Sequence, residues 1–561
     1  MVGQLFTPTF SKEDYSVGIR TDGESHGVVM TKPHVVSLLL DLVGYDPKEA
    51  LDQCALLEPS CGKGAFVVAA ARRLIESARA RNVDLETLGL AVFATDIDEA
   101  HIEETKANVY EALLSLEVPE PTVSLLVESW IKSADFLLHD FDGRTYDFVV
   151  GNPPYIRIEQ LSRALLSEYR CRYESMSDRA DLYVPFIERS LELLKPHGRL
   201  TFICADRWTT NRYGAKLRQL VTARYALKSY VQLDHNAAFE TEVSAYPSIF
   251  TIGNDQQEEV RVFQLGDATP DRARELSNSI RQGRNGDQMA TVYEEWFQND
   301  EPWIMIGPNF LEALRSLESR FGLIEEHGDT RIRIGIATGA DKIYIVDRDA
   351  EIEGSRLVPL LQRNDIQKGR LHAPEKCVIN TSVDSGATIA LDEYPRLKAY
   401  FESNKALIRK RHVATKDPER WFRTIDRLHR DLVGEPKLII PDIAGSTEVF
   451  LETGKSYPHH NLYFITSKSW DLEVLGGLLS SQVALFFVWS YAIKMRGGYL
   501  RFQAQYLRKI RLPEPDSLPE KLKTEIAKAF CDRDFISLDR LALQAYGIET
   551  LPDFPFKDTR Y

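Results

Sequence analysis

The chain has 561 residues, of which 43% are hydrophobic and 27% charged, with a net charge of −14. That length predicts two or more domains with real cores, and the composition excludes a disordered chain. The acidity weighs against nucleic acid as a partner, because phosphate is bound by Lys and Arg, although local sign along a cleft decides binding.

Residues 1–27 carry no basic stretch followed by an apolar run, so they read as an N-terminal extension and not as a signal peptide. From 28 to 255 apolar runs alternate with helical stretches. LDQCALLEPSCGKG (51–64) is a strand entering a glycine-containing turn, and Phe66 to Ala78 follows as a helix. LGLAVFATDID (88–98) is a second strand ending in acids, His101 to Leu116 a helix, and YDFVVGNPPY (146–155) a strand ending in a proline-rich turn. Tyr183 to Leu194 is a helix and RLTFICA (199–205) another strand. Buried strands separated by helices predict an α/β, Rossmann-like domain with a mostly parallel, doubly wound sheet. Such sheets bind ligands at the carboxyl ends of their strands.

The polar, turn-rich stretch 256–325 reads as a connecting segment with some helix. Residues 326–515 have short strands at irregular spacing and predict a mixed α+β domain; 516–561 read as a helical tail, with two helices in 517–548. The apolar run at 474–493 contains Ser, Gln and Gly, and is expected to be a buried helix and no membrane span. The six cysteines are scattered without a CxxC pair, so neither a zinc site nor a disulfide framework is expected, and a reduced, cytoplasmic protein is.

Three clusters fall at predicted strand ends. In EPSCGKGAF (58–66), Gly62 and Gly64 let the backbone approach a ligand at a helix N-terminus, with Ser60 in the same turn. Glu58 can hold an ammonium group there. The turn is neither GxGxxG nor GK[ST], and a tight turn is its plainer reading. Asp96 stands where a carboxylate commonly accepts ribose hydroxyls; a helix cap is the alternative. Asp135 and Phe136, in SADFL (133–137), can accept from an adenine amino group and stack on its ring. Together the three suit a nucleoside with a cationic amino-acid tail.

The sharpest feature is GNPPYI (151–156). Two successive prolines stiffen the backbone and donate no hydrogen bonds, which fixes the directions of the Asn152 side chain and the Pro153 carbonyl. Two acceptors placed on the hydrogens of a conjugated amino group free its lone pair and stabilise the positive charge that develops on attack. Tyr155 offers a face on which a base can stack. Direct in-line displacement, dominated by positioning, is the expected chemistry.

In their order and spacing, EPSCGKGAF, TDID, ADFL and GNPPYI resemble the amino-methyltransferases. MTKPHVV (30–36), DLYVPFIERSLELLKPHGRLTFI (181–203) and DRWTTNRYGAKLR (206–218) are similar to further segments of the N6-adenine DNA methyltransferases. The resemblance implies S-adenosylmethionine as cofactor, S-adenosylhomocysteine as product and no metal requirement. It implies that Thr31, Glu58, Ser60, Gly62, Gly64, Asp96, Asp135 and Phe136 contact the cofactor. Asn152, Pro153 and Tyr155 then hold the target adenine, with Phe239 as a second stacking aromatic, for which a core Phe is the alternative. FICADRWTT (202–210) departs from the family, with Asp206 near the place where many relatives have Pro before a polar residue; no effect on chemistry is expected.

NPPY turns also serve protein- and RNA-directed enzymes, so the second half decides. RIRIGIATGADKIYIV (331–346), LVPLLQRNDIQKGRL (357–371), EPKLIIPDI (435–443) and MRGGYLRFQAQYLRKIRLP (495–513) resemble, in order, the target-recognition region of TaqI-like adenine methyltransferases. This implies a site-specific DNA adenine-N6 methyltransferase of a bacterium or archaeon, acting on a flipped-out adenine of double-stranded DNA. Within the basic, aromatic-rich stretch 403–430, Arg409, Lys410, Arg411 and Arg423 are candidate phosphate contacts, with a solvated charged helix as the alternative. Arg496, Arg501, Gln503 and Gln505 are candidate base readers. No nuclease motif is seen in 1–27, which leaves a separate restriction nuclease or defence-system protein as the possible partner. The layout is compatible with a monomer.

Overall fold

The structure, a computed structural model, describes residues 29–233, 238–240, 247–282, 289–429, 432–444, 447–492 and 500–555. The chain divides into two compact units between Pro308 and Asn309.

The first unit is built on nine strands: β1 (Leu56–Glu58), β2 (Val92–Asp96), β3 (Ile131–Ser133), β4 (Tyr146–Gly151), β5 (Leu194–Ala205), β6 (Ala226–Leu233), β7 (Pro247–Gly253), β8 (Val260–Gly266) and β9 (Ala290–Tyr293). Their order in the sheet is β3-β2-β1-β4-β5-β7-β6-β8-β9. Strands β3 to β5 run parallel; β7 is antiparallel to both neighbours, β6 pairs parallel with β8, and β9 closes the edge antiparallel. The helices are α1 (Pro33–Val43), α2 (Ala65–Ala80), α3 (Glu99–Ser115), α4 (Glu120–Trp130), α5 (Arg163–Arg172), α6 (Tyr183–Glu192), α7 (Ala215–Arg224) and α8 (Pro270–Gln282).

Successive strand residues point to opposite faces, so one sheet carries two cores. Val92, Ala94, Val150, Ile203, Val231 and Ile249 join a core with apolar residues of α1–α4 and α8. The intervening residues are aromatic: Phe93 meets Phe141 and Tyr146, and Phe202 and Trp208 meet Phe250. Full burial of one large apolar side chain contributes about 2 kcal/mol, which is why the continuous apolar runs at β4 and β5 read so clearly as strands. The segment 256–325, expected to be a connection, instead supplies β8, α8 and β9 to this unit. Its strands were hidden because β8 keeps polar Arg261 and Gln264 between buried Val260, Val262, Phe263 and Leu265, and polar turns flank it.

In the second unit the helix Pro308–Arg320 precedes two four-stranded sheets. One pairs 331–334, 462–466, 437–441 and 450–452 antiparallel. The other joins 345–347, 376–379 and 357–361 antiparallel and adds 457–458 in parallel. The expected tail helices are Glu520–Asp532 and Phe535–Tyr546. Where one buried helix was expected over 474–493, the described residues form two, Leu472–Leu479 and Gln482–Tyr491, bent by 58°. Both are largely buried, and among the described residues no single helix is long and apolar enough to cross a membrane. Gly476 and Gly477 allow Glu520–Asp532 to close in: a Cβ on either would lie 2.5 Å from Phe530 or 2.4 Å from Ile526.

Candidate active site

The sheet order reverses at β1, with β2 and β3 on one side and β4 and β5 on the other. At such a switch point the loops leaving adjacent strands diverge and open a crevice. A cavity of about 340 Å³ lies there, lined by Thr31, Glu58, Ser60, Gly62, Asp96, Asp135, Phe136, Asn152 and Pro153. Three strand ends 94 residues apart in the chain, Glu58, Asp96 and Asn152, thus converge on one space.

The loop after β1 is braced on both sides. Gly62 has φ +51°, its N–H donates to Asp96 Oδ2 at 2.9 Å, and its carbonyl accepts from Thr105 Oγ1 at 2.7 Å. Gly64, at φ +84°, precedes α2, and a Cβ there would meet the Thr105 methyl at 2.8 Å. Gly64 therefore shapes the turn without lining the cavity. The cap of α3 is Asp98, which accepts from Ala100 N at 3.0 Å and contributes about 1 kcal/mol. Asp96 instead bridges two loops, since its Oδ1 also accepts from Asp98 N at 2.9 Å, with His101 Nδ1 3.5 Å away. Each carboxylate oxygen has a second lone pair that a ligand hydroxyl can use.

Glu58 is 1% exposed, and its Oε2 is buried without a hydrogen-bond partner. Burial first, then the charge of Asp96, raise its carboxyl well above the ordinary range. The Val67 backbone N–H partly offsets this, but an acid with one unpaired oxygen on a cavity wall fits a cationic group, whose approach would restore the carboxylate. Asp135 accepts from Leu137 N and from the Tyr169 hydroxyl, both at 2.9 Å. Phe136 packs against Phe186 with ring centroids 5.0 Å apart, and both rings line the cavity. Ile97, 41% exposed, faces the same space. Ile97, His101, Tyr169 and Phe186 were missed by sequence reasoning; only Ile97, an apolar residue between two acids at a strand end, carried a local signal.

Asn152 Nδ2 donates to the Val29 carbonyl at 3.0 Å and to Thr31 Oγ1 at 3.3 Å. A carbonyl only accepts, so the amide orientation is determined, and Oδ1 is left buried without a partner. Ser60 Oγ donates to the Asn152 carbonyl at 3.2 Å, joining the two loops. Thr31 thus supports Asn152 as well as lining the cavity. It also bridges Phe239, while Lys32 N bonds Ala238 O and Glu240 N bonds Met30 O, each at 3.0 Å. Phe239 meets the Tyr155 ring edge-on at 6.2 Å, and Tyr183 lies 6.4 Å from Tyr155. The Tyr155 hydroxyl is buried without a partner, and burial, then Cys204 and Asp206, raise its pKa. Asp206, just beyond β5, is half-buried, and burial pushes its carboxyl up to about 6.

The basic candidates of the second unit divide. Arg409 and Lys410 are exposed. Arg411 is not a free cation: Nε donates to Ile408 O, Nη1 to Thr338 O, and Nη2 to Tyr344 Oη and the Trp421 and Arg423 carbonyls, at 2.8–3.1 Å. With all three nitrogens donating inside the fold, and burial lowering its pKa, Arg411 is a strut and not a phosphate contact. Arg423 is half-buried, with Nε 3.8 Å from Asp417. Arg501 is paired with Asp442. Gln505 is exposed and bonds Gln503 at 3.1 Å. Arg496 lies outside the described residues.

Comparison with known proteins bears on both units. Residues 79–239 match the Eco57I restriction-modification methylase family, and residues 358–512 the TaqI-like C-terminal specificity domain. The chain is 42% identical over 539 residues to the Type II methyltransferase M.BstVI of Geobacillus stearothermophilus, covering 93% of this chain and 96% of the relative. It is 40% identical over 538 residues to the Type II methyltransferase M.PaeR7I of Pseudomonas aeruginosa, covering 94% and 93%. The chain belongs to the Type II methyltransferase family. In fold it is similar to the Type IIL restriction-modification enzyme MmeI, solved in complex with DNA, with a TM-score of 0.61 at 12% identity over 93% of this chain and 74% of that one.

Proposed function

We propose that the protein methylates the exocyclic N6 of adenine at a defined sequence in double-stranded DNA, using S-adenosylmethionine. The observation that carries this reading is the buried, unpartnered Oδ1 of Asn152 on the wall of a cavity that also holds the unpartnered Oε2 of Glu58. One orphan suits a cationic amino-acid tail and the other an amino group with hydrogens to donate. Glu58 would hold the ammonium of the cofactor, Asp96 its ribose hydroxyls, and Asp135 and Phe136 its adenine. When bound, the cofactor supplies a methyl group made electrophilic by a sulfonium centre.

The residues of this chain do the positioning. Asn152 Oδ1 accepts one N6–H and the Pro153 carbonyl the other, which draws the nitrogen lone pair out of conjugation. The same two oxygens stabilise the positive charge that grows on nitrogen as the bond to carbon forms. The N6 proton then leaves to solvent, so no strong base is required. Tyr155, backed by Phe239, stacks on the base. An adenine in a duplex is out of reach until it is rotated from the stack at a cost of a few kcal/mol, which recognition contacts offset. Arg409, Lys410, Gln503 and Gln505, exposed or half-buried, remain the candidates for those contacts, with Arg423 and Arg501 partly committed to acids. A restriction nuclease on another chain is the partner such a modification enzyme protects against.

The test is transfer of labelled methyl from S-adenosylmethionine to unmethylated duplex DNA, RNA and protein in parallel, followed by digestion and chromatography. N6-methyladenine from DNA alone is expected; label confined to RNA or protein, or N4-methylcytosine from DNA, overturns the reading.

A further inference from the structure

In the second unit, segments more than a hundred residues apart bring two imidazoles and a carboxylate together. Ligand atoms of Asp341, His459 and His460 lie within 4.8 Å of one another. His459 is 5% exposed; its Nε2 lies 3.1 Å from Asp341 Oδ2, and its Nδ1 is buried without a partner. The two histidine rings are 4.1 Å apart between centroids, and His460 is exposed.

We propose that Asp341, His459 and His460 bind one divalent transition-metal ion of the zinc class, which clamps the start of the helix Asp341–Tyr344 to the turn that follows the 457–458 strand. A neutral imidazole holds one proton. On Nε2 that proton bonds Asp341 and leaves the Nδ1 lone pair buried with no donor; on Nδ1 it leaves Nε2 and Asp341 facing each other as two acceptors. Either tautomer strands a polar atom, at a cost of about 1–3 kcal/mol. A metal ion shared by Nε2 and Asp341 Oδ2 turns those two facing acceptors into two ligands of one cation, and leaves the Nδ1 proton as the one unpaired atom. Two nitrogens and one oxygen suit zinc, nickel or copper better than magnesium or calcium, which prefer oxygen alone.

The surroundings are preorganised. Thr338 is fully buried and donates to Asp341 Oδ1 at 2.5 Å, holding the carboxylate. His459 N donates to Leu361 O at 2.8 Å, and His460 N to Ile336 O at 3.1 Å. A Cβ on Gly335 would lie 2.2 Å from the His459 carbonyl, so only glycine lets the two segments come this close. Tetrahedral zinc places its ligands about 3.4 Å apart. Rotation of the exposed His460 ring closes that gap and leaves the outer face for water.

The test uses the full, untagged chain, stripped with chelator and titrated with Zn²⁺ alone by calorimetry, with the melting temperature followed in parallel. One equivalent is expected to bind and to raise the melting temperature. His460→Ala, at an exposed position that leaves the fold intact, is expected to weaken that binding at least tenfold and abolish the thermal shift; Asp341→Asn is expected to do the same. Binding unchanged in both variants would place zinc on other residues and overturn the proposal. So would the absence of any stoichiometric binding to the wild-type chain, which would reduce the trio to a histidine–aspartate hydrogen bond.

Discussion

At the cavity of the first unit, polar atoms that a folded interior would ordinarily pair are left single, Glu58 Oε2 and Asn152 Oδ1 among them. In the basic stretch 403–430 of the second unit, Arg411 shows the reverse: a cation that the sequence offers to a phosphate is already bonded to the chain on every nitrogen. The difference teaches that charge in a sequence is not availability. Desolvated groups with no internal partner are costly, so where they line a cavity they mark what the cavity takes. Charged side chains with complete internal bonding mark scaffolding, however basic their neighbourhood.

The largest effect that would break this comparison is at Asn152. Asn152→Ala is expected to lower methyl transfer by about 10²–10³-fold, the scale of losing one positioned polar group at a reacting centre, while cofactor affinity changes little. Turnover and calorimetric titration with S-adenosylmethionine check it, and a collapse of cofactor affinity would make Asn152 a scaffold residue like Arg411.

Next come the two arginines. Arg411→Ala removes several buried hydrogen bonds and is expected to destabilise the protein by about 2–3 kcal/mol, read from denaturant unfolding. Arg409→Ala should cost no more than the about 0.5–1 kcal/mol of its contact over the Trp421 ring, but weaken DNA binding severalfold and lower the salt slope by about one. If the two variants exchange these phenotypes, the distinction between the buried strut and the exposed cation, which touches the fold over the Trp421 ring, fails.

Glu58→Gln sharpens the comparison from the other side. Loss of the charge-assisted contact is expected to weaken cofactor binding by about 2 kcal/mol, roughly thirtyfold. The same change should stabilise the ligand-free protein at alkaline pH. Because the folded carboxyl sits above its unfolded value, the wild-type chain is favoured below the unfolded pKa and loses that advantage as pH rises through the folded one. Gln has no such dependence, so a ligand-free variant no more stable than wild type at pH 8 would contradict the orphaned acid.

The smallest effect is at Asp206. Its carboxyl is pushed up to about 6 from 3.8, so stability it contributes in acid is lost as pH rises through that window. Melting temperatures of wild type and Asp206→Asn are expected to diverge, in favour of the variant, between pH 4 and pH 7. Parallel curves would mean the carboxyl is solvated.

The sequence by itself determined the strand ends and the turns that follow them. Glu58, Asp96, Asp135 and Asn152 were legible because short-range rules set their places: an apolar run makes a buried strand, and glycine or proline dictates the turn after it. The parallel sheet followed from the same alternation; the burial of the apolar run near 474–493 was legible from its polar interruptions, but its division into two helices bent by 58° was not. Tertiary structure alone decided the rest. That Thr31 holds Asn152 and bridges Phe239, that Phe186 and Tyr169 complete the cavity, and that β8 and β9 extend the sheet are consequences of packing between distant segments, for which local pattern has no period. The fates of Arg409 and Arg411 differ for the same reason: two residues apart in a basic run, they part company only when the fold chooses which one faces the Tyr344 ring and four backbone carbonyls.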